Sequence, residues 1–243
     1  MAFLSGEDLK GRISRGNDFL EKNKDEINLL EKNPRSFYTK FIEKLEEDFI
    51  IVYPYEKERL EPISYQLSLG DQVYVTADEA PRNLRLPKSS YITIEPGEFA
   101  VLTTYEYVYV PKNLVAFISI RYGYKERGLV NVSGFHVDPG FFGKLLFTVY
   151  NAGPNDIVLK HREPLFMIMF ANLTQLTDPY KGKRQAQTDV PPEVVARLHG
   201  TSISPRNLDE RLKRVELWLY LLTVAVIPIF VSVLVTILGR LLG

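Results

Sequence analysis

The sequence contains no cysteine, which excludes disulfide bonds, thiol chemistry and cysteine-ligated zinc. It has only three histidines, and His136, His161 and His199 show no spacing typical of metal ligands, so we expect no metal site. Thirty basic and thirty acidic residues leave no formal net charge. Because a nucleic-acid-binding surface must be basic to contact phosphates, we expect no nucleic-acid partner.

Alternating and fully apolar runs predict a β domain over residues 49–176. Short runs such as Asp71–Thr76, Phe99–Val110 and Asp156–Lys160 are separated by Gly, Pro, Asn and Asp, which favour turns. A chain of 243 residues can form one sizeable core, and 45% hydrophobic with 25% charged residues is ordinary for a globular protein. The middle of the chain therefore reads as an all-β core.

A charged, helical stretch precedes this domain. After an opening helix over residues 1–16, apolar residues recur at helical spacing on both sides of Pro34. We interpret residues 17–48 as an inserted helical hairpin with one apolar stripe. The stripe either packs on the β domain as a lid or forms a surface for a partner protein or a membrane. Its members are Phe19, Leu20, Ile27, Leu30, Phe37, Phe41, Leu45 and Phe49.

The C-terminal segment, residues 211–243, predicts a membrane anchor. The 22 residues from 217 to 238 carry no charge and would span about 33 Å as a helix, against a hydrocarbon core of about 30 Å. Arg211, Lys213 and Arg214 precede the span and only Arg240 follows it, which predicts a single-pass, tail-anchored protein with its N-terminal domain in the cytoplasm. The alternative is a buried helix or an oligomer core. A polar linker over residues 177–210 would join the two parts.

A tight turn followed by a strand is the most informative local pattern. Asp138-Pro139-Gly140 fixes φ and then permits positive φ, and the alternating residues after it end at Asn151, before a second turn at residues 152–155. The pattern alone predicts a hairpin within the β domain.

The segment from Val137 to Asn151 resembles the third motif of the dCTP deaminase and dUTPase family. Four further segments resemble family motifs in the same order: Phe3–Leu9, Leu60–Gly70, Ile94–Thr104 and Val110–Phe117. The resemblance runs from residue 1 to about residue 187. It implies a mainly β fold, a distorted β-barrel of the dUTPase-like (β-clip) type. It also implies a homotrimer whose pockets lie between subunits and bind deoxynucleoside triphosphates.

In the deaminase branch, the third motif reaches a glutamate that acts as general base ten residues after its Asp. Here that position is Thr148, and a hydroxyl cannot take a proton from water near neutral pH as a carboxylate can. The second motif, G-R-S-S-x-x-R-x-G-L in the family, corresponds to residues 120–129. Arg121 is kept, whereas Tyr122 replaces a serine and Glu126 replaces the second arginine.

The resemblance carries the remaining site residues over. In the second motif it assigns nucleotide binding to Arg121, Tyr122 and Gly123, and also to Arg127 if that side chain turns inward. In the third motif it assigns nucleotide binding to Val137 and Asp138, and in the dUTPase branch the equivalent of Asp138 activates the attacking water. The arm Tyr180–Gln187 resembles one that folds over the triphosphate, with Lys183, Gln185 and Gln187 in matching places. The alternative is that Asp138 caps its own turn and that the arm is a solvated linker.

Two further replacements bear on metal use. The first motif's Asp is Gln66 and the fourth motif's Gln is Met167, which weakens the case for the family's water-mediated Mg²⁺ arrangement. The resemblance still leaves room for Mg²⁺ that arrives with a nucleoside triphosphate.

Three functions fit this sequence. We favour a membrane-tethered trimer that binds a (deoxy)nucleotide as sensor, regulator or effector and has lost deamination. The second is an active enzyme, either a deaminase with a rearranged base or a dUTP diphosphatase that uses Asp138. The third is a structural module whose β domain clusters three membrane helices.

Overall fold

The structure is a computed structural model that describes residues 2–43, 48–76, 82–198 and 205–242. The chain divides into two compact units, Met1–Ser202 and Ile203–Gly243. The first unit contains the β domain and the helices that pack on it. The second contains one long helix.

The described residues of the first unit form a strongly curled antiparallel sheet, with strands in the order β7-β9-β5-β2-β11-β6-β8. Strand β1 pairs with β5, β3 pairs with β2, and β4 with β10 forms a separate two-stranded sheet. The strands are β1 Ile51–Tyr53, β2 Tyr65–Val75, β3 Arg82–Arg85, β4 Tyr91–Ile94, β5 Phe99–Tyr109, β6 Leu114–Ile120, β7 Leu129–Asn131, β8 His136–Val137, β9 Phe142–Asn151, β10 Ile157–Lys160 and β11 Pro164–Asn172.

The alternating sequence explains why this sheet encloses a core. Along β6 and most of β9, buried residues alternate with partly buried ones, since successive side chains point to opposite faces of a strand. The inward side chains meet at the centre, where the rings of Phe147 and Phe166 stack with centroids 3.9 Å apart. The prediction of a mainly β fold is confirmed.

Helix α1, Gly6–Lys22, begins at Ser5, whose hydroxyl accepts a hydrogen bond from the backbone N–H of Asp8 at 3.3 Å. Its buried face carries Leu9, Ile13 and Leu20. The helix is continuous past residue 16, where the sequence analysis placed a boundary. It therefore links the opening motif to the inserted segment without a break.

The predicted helical hairpin is present and packs on the β domain. It comprises α2 Ile27–Lys32, α3 Pro34–Phe37 and a wide helical turn, Tyr38–Ile42. Asn33 caps α3 by accepting a hydrogen bond from Ser36 N–H at 3.1 Å. Pro34 therefore ends the apolar pattern of α2 and is also the first residue of α3. Leu45 lies outside the described residues. A cluster buries the apolar stripe against β1, β5 and β9, as the lid alternative expects: Leu20, Leu30, Phe37, Ile42, Phe49, Ile51, Tyr107, Tyr109, Phe142 and Ala186.

Two further helices of the first unit are short: α4, Tyr122–Lys125, and α5, Pro192–Leu198. The second unit is α6, Pro205–Leu242, which continues through Pro228. Within it, Arg211–Leu241 is long and apolar enough to cross a membrane, and an 18-residue window of this segment has a mean hydropathy of 2.8. The helix is a candidate membrane span.

Candidate functional site

A cavity of about 310 Å³ opens beside the Asp-Pro-Gly turn of the β domain. Strands β5, β6, β8 and β9 form one side of it, and the C-terminal segments after residue 179 form the other. Its lining contains both polar and apolar side chains. The lining residues are Val101, Ile118, Ser133, Gly134, His136, Val137, Asp138, Phe141, Leu145, Leu146, Thr148, Tyr180, Arg184, Gln187 and Val194.

Asp138 lines the cavity and is positioned by the pairing of β8 with β6 and by its own turn. In the turn, Gly140 has φ +77° and its N–H donates to Val110 O at 2.8 Å. The carboxylate Oδ1 lies 3.5 Å from Nε2 of His136, and both side chains are about half exposed. In the described part of the chain, the Asp138 carboxylate accepts no backbone hydrogen bond, so it is available to a ligand.

Thr148 lines the same cavity from β9. Thr148 pairs with Val101 of β5, and the Thr148 carbonyl accepts a hydrogen bond from Val132 N–H at 2.9 Å. The position that holds the general base in the deaminase branch therefore faces the cavity here, with a hydroxyl in place of a carboxylate. Among the lining residues, Asp138 is the one carboxylate.

The arm Tyr180–Gln187 is docked along the start of β9. Tyr180 N–H donates to Pro139 O at 2.7 Å, Ala186 N–H to Phe142 O at 2.7 Å, and Lys144 N–H to Gln187 O at 2.9 Å. The arm lies so close to β9 that glycine is required at position 143, since a Cβ there would lie 2.9 Å from Gln187 N. In this structure the arm is part of the β domain.

The arm's side chains divide into ones that hold it and ones that face the cavity. Gln185 is buried: its Oε1 accepts from Phe142 N–H at 3.0 Å, and its Nε2 donates to Gly140 O at 2.8 Å. Gln187 lines the cavity while its Nε2 donates to Lys144 O at 2.8 Å. Lys183 is exposed and outside the lining, whereas Arg184 lines the cavity. The sequence analysis missed Arg184, although it neighbours a predicted cation.

The second-motif residues do not line this cavity within one chain. The guanidinium of Arg121 donates to Pro164 O at 3.1 Å, and Arg127 stacks over the Tyr124 ring with its centre 5.7 Å away. Tyr122 is 75% exposed, and nothing lies within 4 Å of where a Cβ on Gly123 would be. The structure thus brings Val137, Asp138 and Gln187 together, and leaves the second motif on a separate, open surface.

Helix α5 adds a wall that the sequence analysis assigned to the linker. The preceding Val190 is buried, and its N–H donates to the side chain of Gln72 at 3.1 Å. Val194 then lines the cavity, and Val194, Val195 and Leu198 pack against a small cluster of Tyr74, Val101 and Val190.

A buried ion pair joins Arg59 to Glu106 of β5, a strand that also lines the cavity. Glu106 on β5 is 1% exposed, and its carboxylate accepts from Ser68 Oγ at 2.6 Å, Ser68 N–H at 2.8 Å and the Arg59 guanidinium at 2.9 Å. Burial raises the pKa of Glu106 to about 7, against the opposing effects of the Ser68 bonds and the Arg59 charge. The Ser68 hydrogen bonds join β5 to β2 next to an irregularity in their pairing, and the ion pair ties β5 to Arg59 in the segment before β2.

The donor set for a metal is sparse. No group of three or more His, Asp or Glu side chains in residues 2–43, 48–76, 82–198 and 205–242 could hold a metal ion. Gln66, at the first-motif position, uses its amide to donate to the carboxylate of Glu61. His199 lies outside the described residues.

Comparison with known proteins places the chain in a family. The model of the dCTP deaminase-like family matches residues 38–173. A dCTP deaminase of Pyrococcus abyssi is 28% identical over 137 residues, which cover 56% of this chain and 86% of the relative.

Solved structures are more distant. A 2'-deoxycytidine 5'-triphosphate deaminase from Agrobacterium tumefaciens is 14% identical, with a TM-score of 0.42 over 50% of this chain and 43% of that one. The dUTPase of Staphylococcus bacteriophage 80alpha is 16% identical, with a TM-score of 0.37 over 56% of this chain and 98% of that one. The family model matches more than half of the residues of this chain, so the chain belongs to the dCTP deaminase-like family.

Proposed function

We propose that this protein binds a (deoxy)nucleotide as a sensor, regulator or effector and does not deaminate it. The observation that carries the proposal is the composition of the cavity. In its lining, Asp138 offers an acceptor and Arg184 and Gln187 offer donors, which suits a sugar hydroxyl and phosphate oxygens. Thr148 stands where deamination would need a carboxylate.

The proposed binding protein is a homotrimer whose site is shared between subunits. The absence of Arg121 and Tyr122 from the lining supports this, because a neighbouring copy could bring its own second motif to the cavity. An apolar surface on the β6–β8 side suits a second copy as its occupant. There, Phe117 lies between Phe3 and Phe135, at 5.6 and 6.2 Å, and the outer two rings are more than half exposed.

In this proposal, Mg²⁺ enters only as the counterion of a nucleoside triphosphate. The sparse donor set supports this, since Asp138 is the one carboxylate at the cavity. Oxygen ligands for the ion would then come mainly from phosphates and water, as is usual for Mg²⁺ bound with nucleotides.

A second candidate function follows from the Asp138 and His136 pair. A carboxylate half exposed in the cavity could activate a water molecule for attack on a phosphate, so dUTP diphosphatase activity is the alternative. The two candidates differ in turnover and agree in binding.

The binding proposal is tested by unfolding the full chain in detergent micelles with and without nucleotides. A ligand that binds only the folded state raises the unfolding temperature with concentration. We expect dCTP, dUTP or another nucleoside phosphate to raise it, and the Asp138→Asn variant to reduce that rise. If none of a panel of deoxy- and ribonucleotides changed the unfolding temperature, the proposal would be wrong.

We also propose that α6 anchors the protein in a membrane through residues 217–238, with the β domain on the cytoplasmic side. The length and apolar composition of the helix support this, as do the cations that precede it. Deleting residues 217–243 should move the protein from the membrane to the soluble fraction. Protease added outside intact cells should leave the β domain uncut, and its digestion there would contradict the orientation.

A further inference from the structure

A second hollow, of about 340 Å³, lies between two turns of the β domain away from the cavity described above. One turn follows β3 and the other connects β10 to β11. The two hollows have no lining residue in common. The second is lined by Lys88, Ser89, Lys160, His161, Arg162 and Glu163.

Backbone hydrogen bonds fix both turns. The N–H of His161 donates to Ser90 O at 2.9 Å, which ties one turn to the other, and Arg162 N–H donates to Leu69 O at 2.9 Å. Ser89 and Arg162 have φ values of +60° and +67°, in the left-handed region that non-glycine residues seldom occupy. The hollow is therefore a built feature of the backbone.

Aromatic rings position two of its three cations. The guanidinium carbon of Arg162 lies 4.0 Å from the centre of the Tyr105 ring, and Lys160 Nζ lies 5.8 Å from the centre of the Tyr91 ring. Stacking uses the face of a guanidinium and leaves its N–H groups free at the edge. Within the described ranges, the side chains of Lys88, Lys160 and Arg162 make no ion pair or hydrogen bond, although the Arg59 guanidinium donates to the Arg162 carbonyl at 3.3 Å.

The other two ionisable groups complete the donor set. The Glu163 carboxylate already accepts the backbone N–H of Lys160 at 2.8 Å and a hydrogen bond from Tyr124, so its charge is engaged at the rim. His161 is 6% exposed, with Nδ1 3.1 Å from Pro87 O and no partner for its buried Nε2 in the described structure. With its hydrogen on Nδ1, the ring can accept a hydrogen bond from a protonated phosphate; once protonated, it can donate one.

We propose that this hollow is a second anion site, which takes a phosphate group through Lys88, Lys160 and Arg162 with His161 beneath. Three cations against one engaged carboxylate favour a multiply charged oxyanion, and several N–H donors suit phosphate oxygens. The phosphate belongs either to a soluble compound or to a lipid headgroup, since both present the same oxygens.

Inorganic pyrophosphate is the probe, and the full chain in uncharged detergent micelles is the sample. Acetylation of lysines by a water-soluble reagent is followed by mass spectrometry. We expect pyrophosphate to slow acetylation of Lys88 and Lys160 by about tenfold near saturation, as for sites that are mostly occupied. Lys22 and Lys32 are exposed, lie on the helices and serve as internal controls. Equal protection of all four lysines, or none, would overturn the proposal.

A matched pair of double variants tests the same site by affinity. Lys160→Gln with Arg162→Gln should weaken pyrophosphate binding in equilibrium dialysis by about tenfold or more, since each loses a charge-assisted hydrogen bond. Lys22→Gln with Lys32→Gln removes the same charge and should change affinity less than about twofold. Unfolding temperatures establish that both variants fold. Equal affinity in the two variants would contradict the assignment, even if nucleotides still bound at the other cavity.

Vesicles separate the two sources of phosphate. The full chain is reconstituted in phosphatidylcholine with or without a minor fraction of phosphatidic acid. If phosphatidic acid alone slows acetylation of Lys88 and Lys160, the ligand is a lipid headgroup; if only pyrophosphate does, the ligand is soluble. If neither slows it in vesicles, the proposal is wrong.

Discussion

Thr148 on β9 and Asp138 at the turn before that strand line the same cavity, and Asp138 is the one carboxylate among its lining residues. The turn and the strand thus keep the arrangement of the family's third motif while one of its two acidic groups is replaced. In the proposed function, Asp138 keeps a contact for the sugar of a nucleotide. The proposed loss of deamination rests on Thr148, because a hydroxyl cannot take a proton from water near neutral pH as a carboxylate can.

The first prediction compares two neighbouring cations of the arm. Arg184 lines the cavity and Lys183 is exposed outside it, so Arg184→Gln should weaken nucleotide binding by about 1.5–3 kcal/mol, the range for hydrogen bonds to charged groups. Lys183→Gln removes the same charge and should cost well under about 1 kcal/mol if the arm keeps this conformation. Titration calorimetry measures both. A larger effect at Lys183, as the family resemblance implies, would mean that the arm rearranges on binding.

The second prediction concerns the shared site. Arg121→Ala and Asp138→Asn should each weaken nucleotide binding in homogeneous trimers, because each removes one contribution to every site. In mixed trimers of the two variants, some sites combine an intact Arg121 with an intact Asp138. We therefore expect a fraction of sites to regain wild-type affinity on co-expression. Recovery of no site in mixed trimers, or a monomer by light scattering, would contradict a site between subunits.

The third prediction concerns how the arm is held. Gln185→Leu leaves the N–H of Phe142 and the carbonyl of Gly140 without their buried partner, which should cost about 1–3 kcal/mol of docking. Tryptic cleavage after Lys183 and Arg184 should then accelerate. Gln175→Leu, at an exposed position before the arm, is the matched control. Unchanged cleavage in Gln185→Leu would show that other contacts hold the arm.

The fourth prediction follows from Glu106. Burial raises its pKa to about 7 from an ordinary value near 4.5, so the folded state binds more protons than the unfolded state between those values. The contribution of Glu106 to the free energy of unfolding should therefore fall as pH rises from about 4.5 to about 7.

Two variants isolate this effect in denaturant titrations across that range of pH. In Glu106→Gln, the free energy of unfolding should lose the decrease with pH that Glu106 contributes. In Glu56→Gln, it should vary with pH as in the wild type. Glu56 contacts the same Arg59 at 2.8 Å but is half exposed. If the free energy of unfolding of Glu106→Gln still fell with pH as in the wild type, the pH dependence would belong to another group.

Much of the fold follows from local patterns in the sequence. The Asp138-Pro139-Gly140 turn, the alternation along β9 and the apolar stripe of the hairpin each reflect rules that act over a few residues. These rules give the β domain, the helical insertion and the long apolar helix. They do not give the end of α1, because helical spacing is the same on both sides of residue 16.

The site depends on contacts between distant residues, which local patterns do not encode. Val190 docks through the side chain of Gln72, and that contact brings Val194 to the cavity from a segment that reads as polar linker. The resemblance gave Gln185 a role toward phosphate, but only the folded chain shows that both ends of its amide meet backbone groups, one at the first residue of β9 and one in the turn before it.

We propose that the protein binds nucleotide without deaminating it, and one experiment tests both halves of this claim. The most direct measurement incubates the purified full chain with dCTP and follows bound nucleotide by calorimetry and products by chromatography. We expect saturable binding with dCTP recovered intact, since a missing general base typically lowers the rate by about 10²–10⁴. Steady formation of dUTP or dUMP that disappears in Asp138→Asn would contradict the claim.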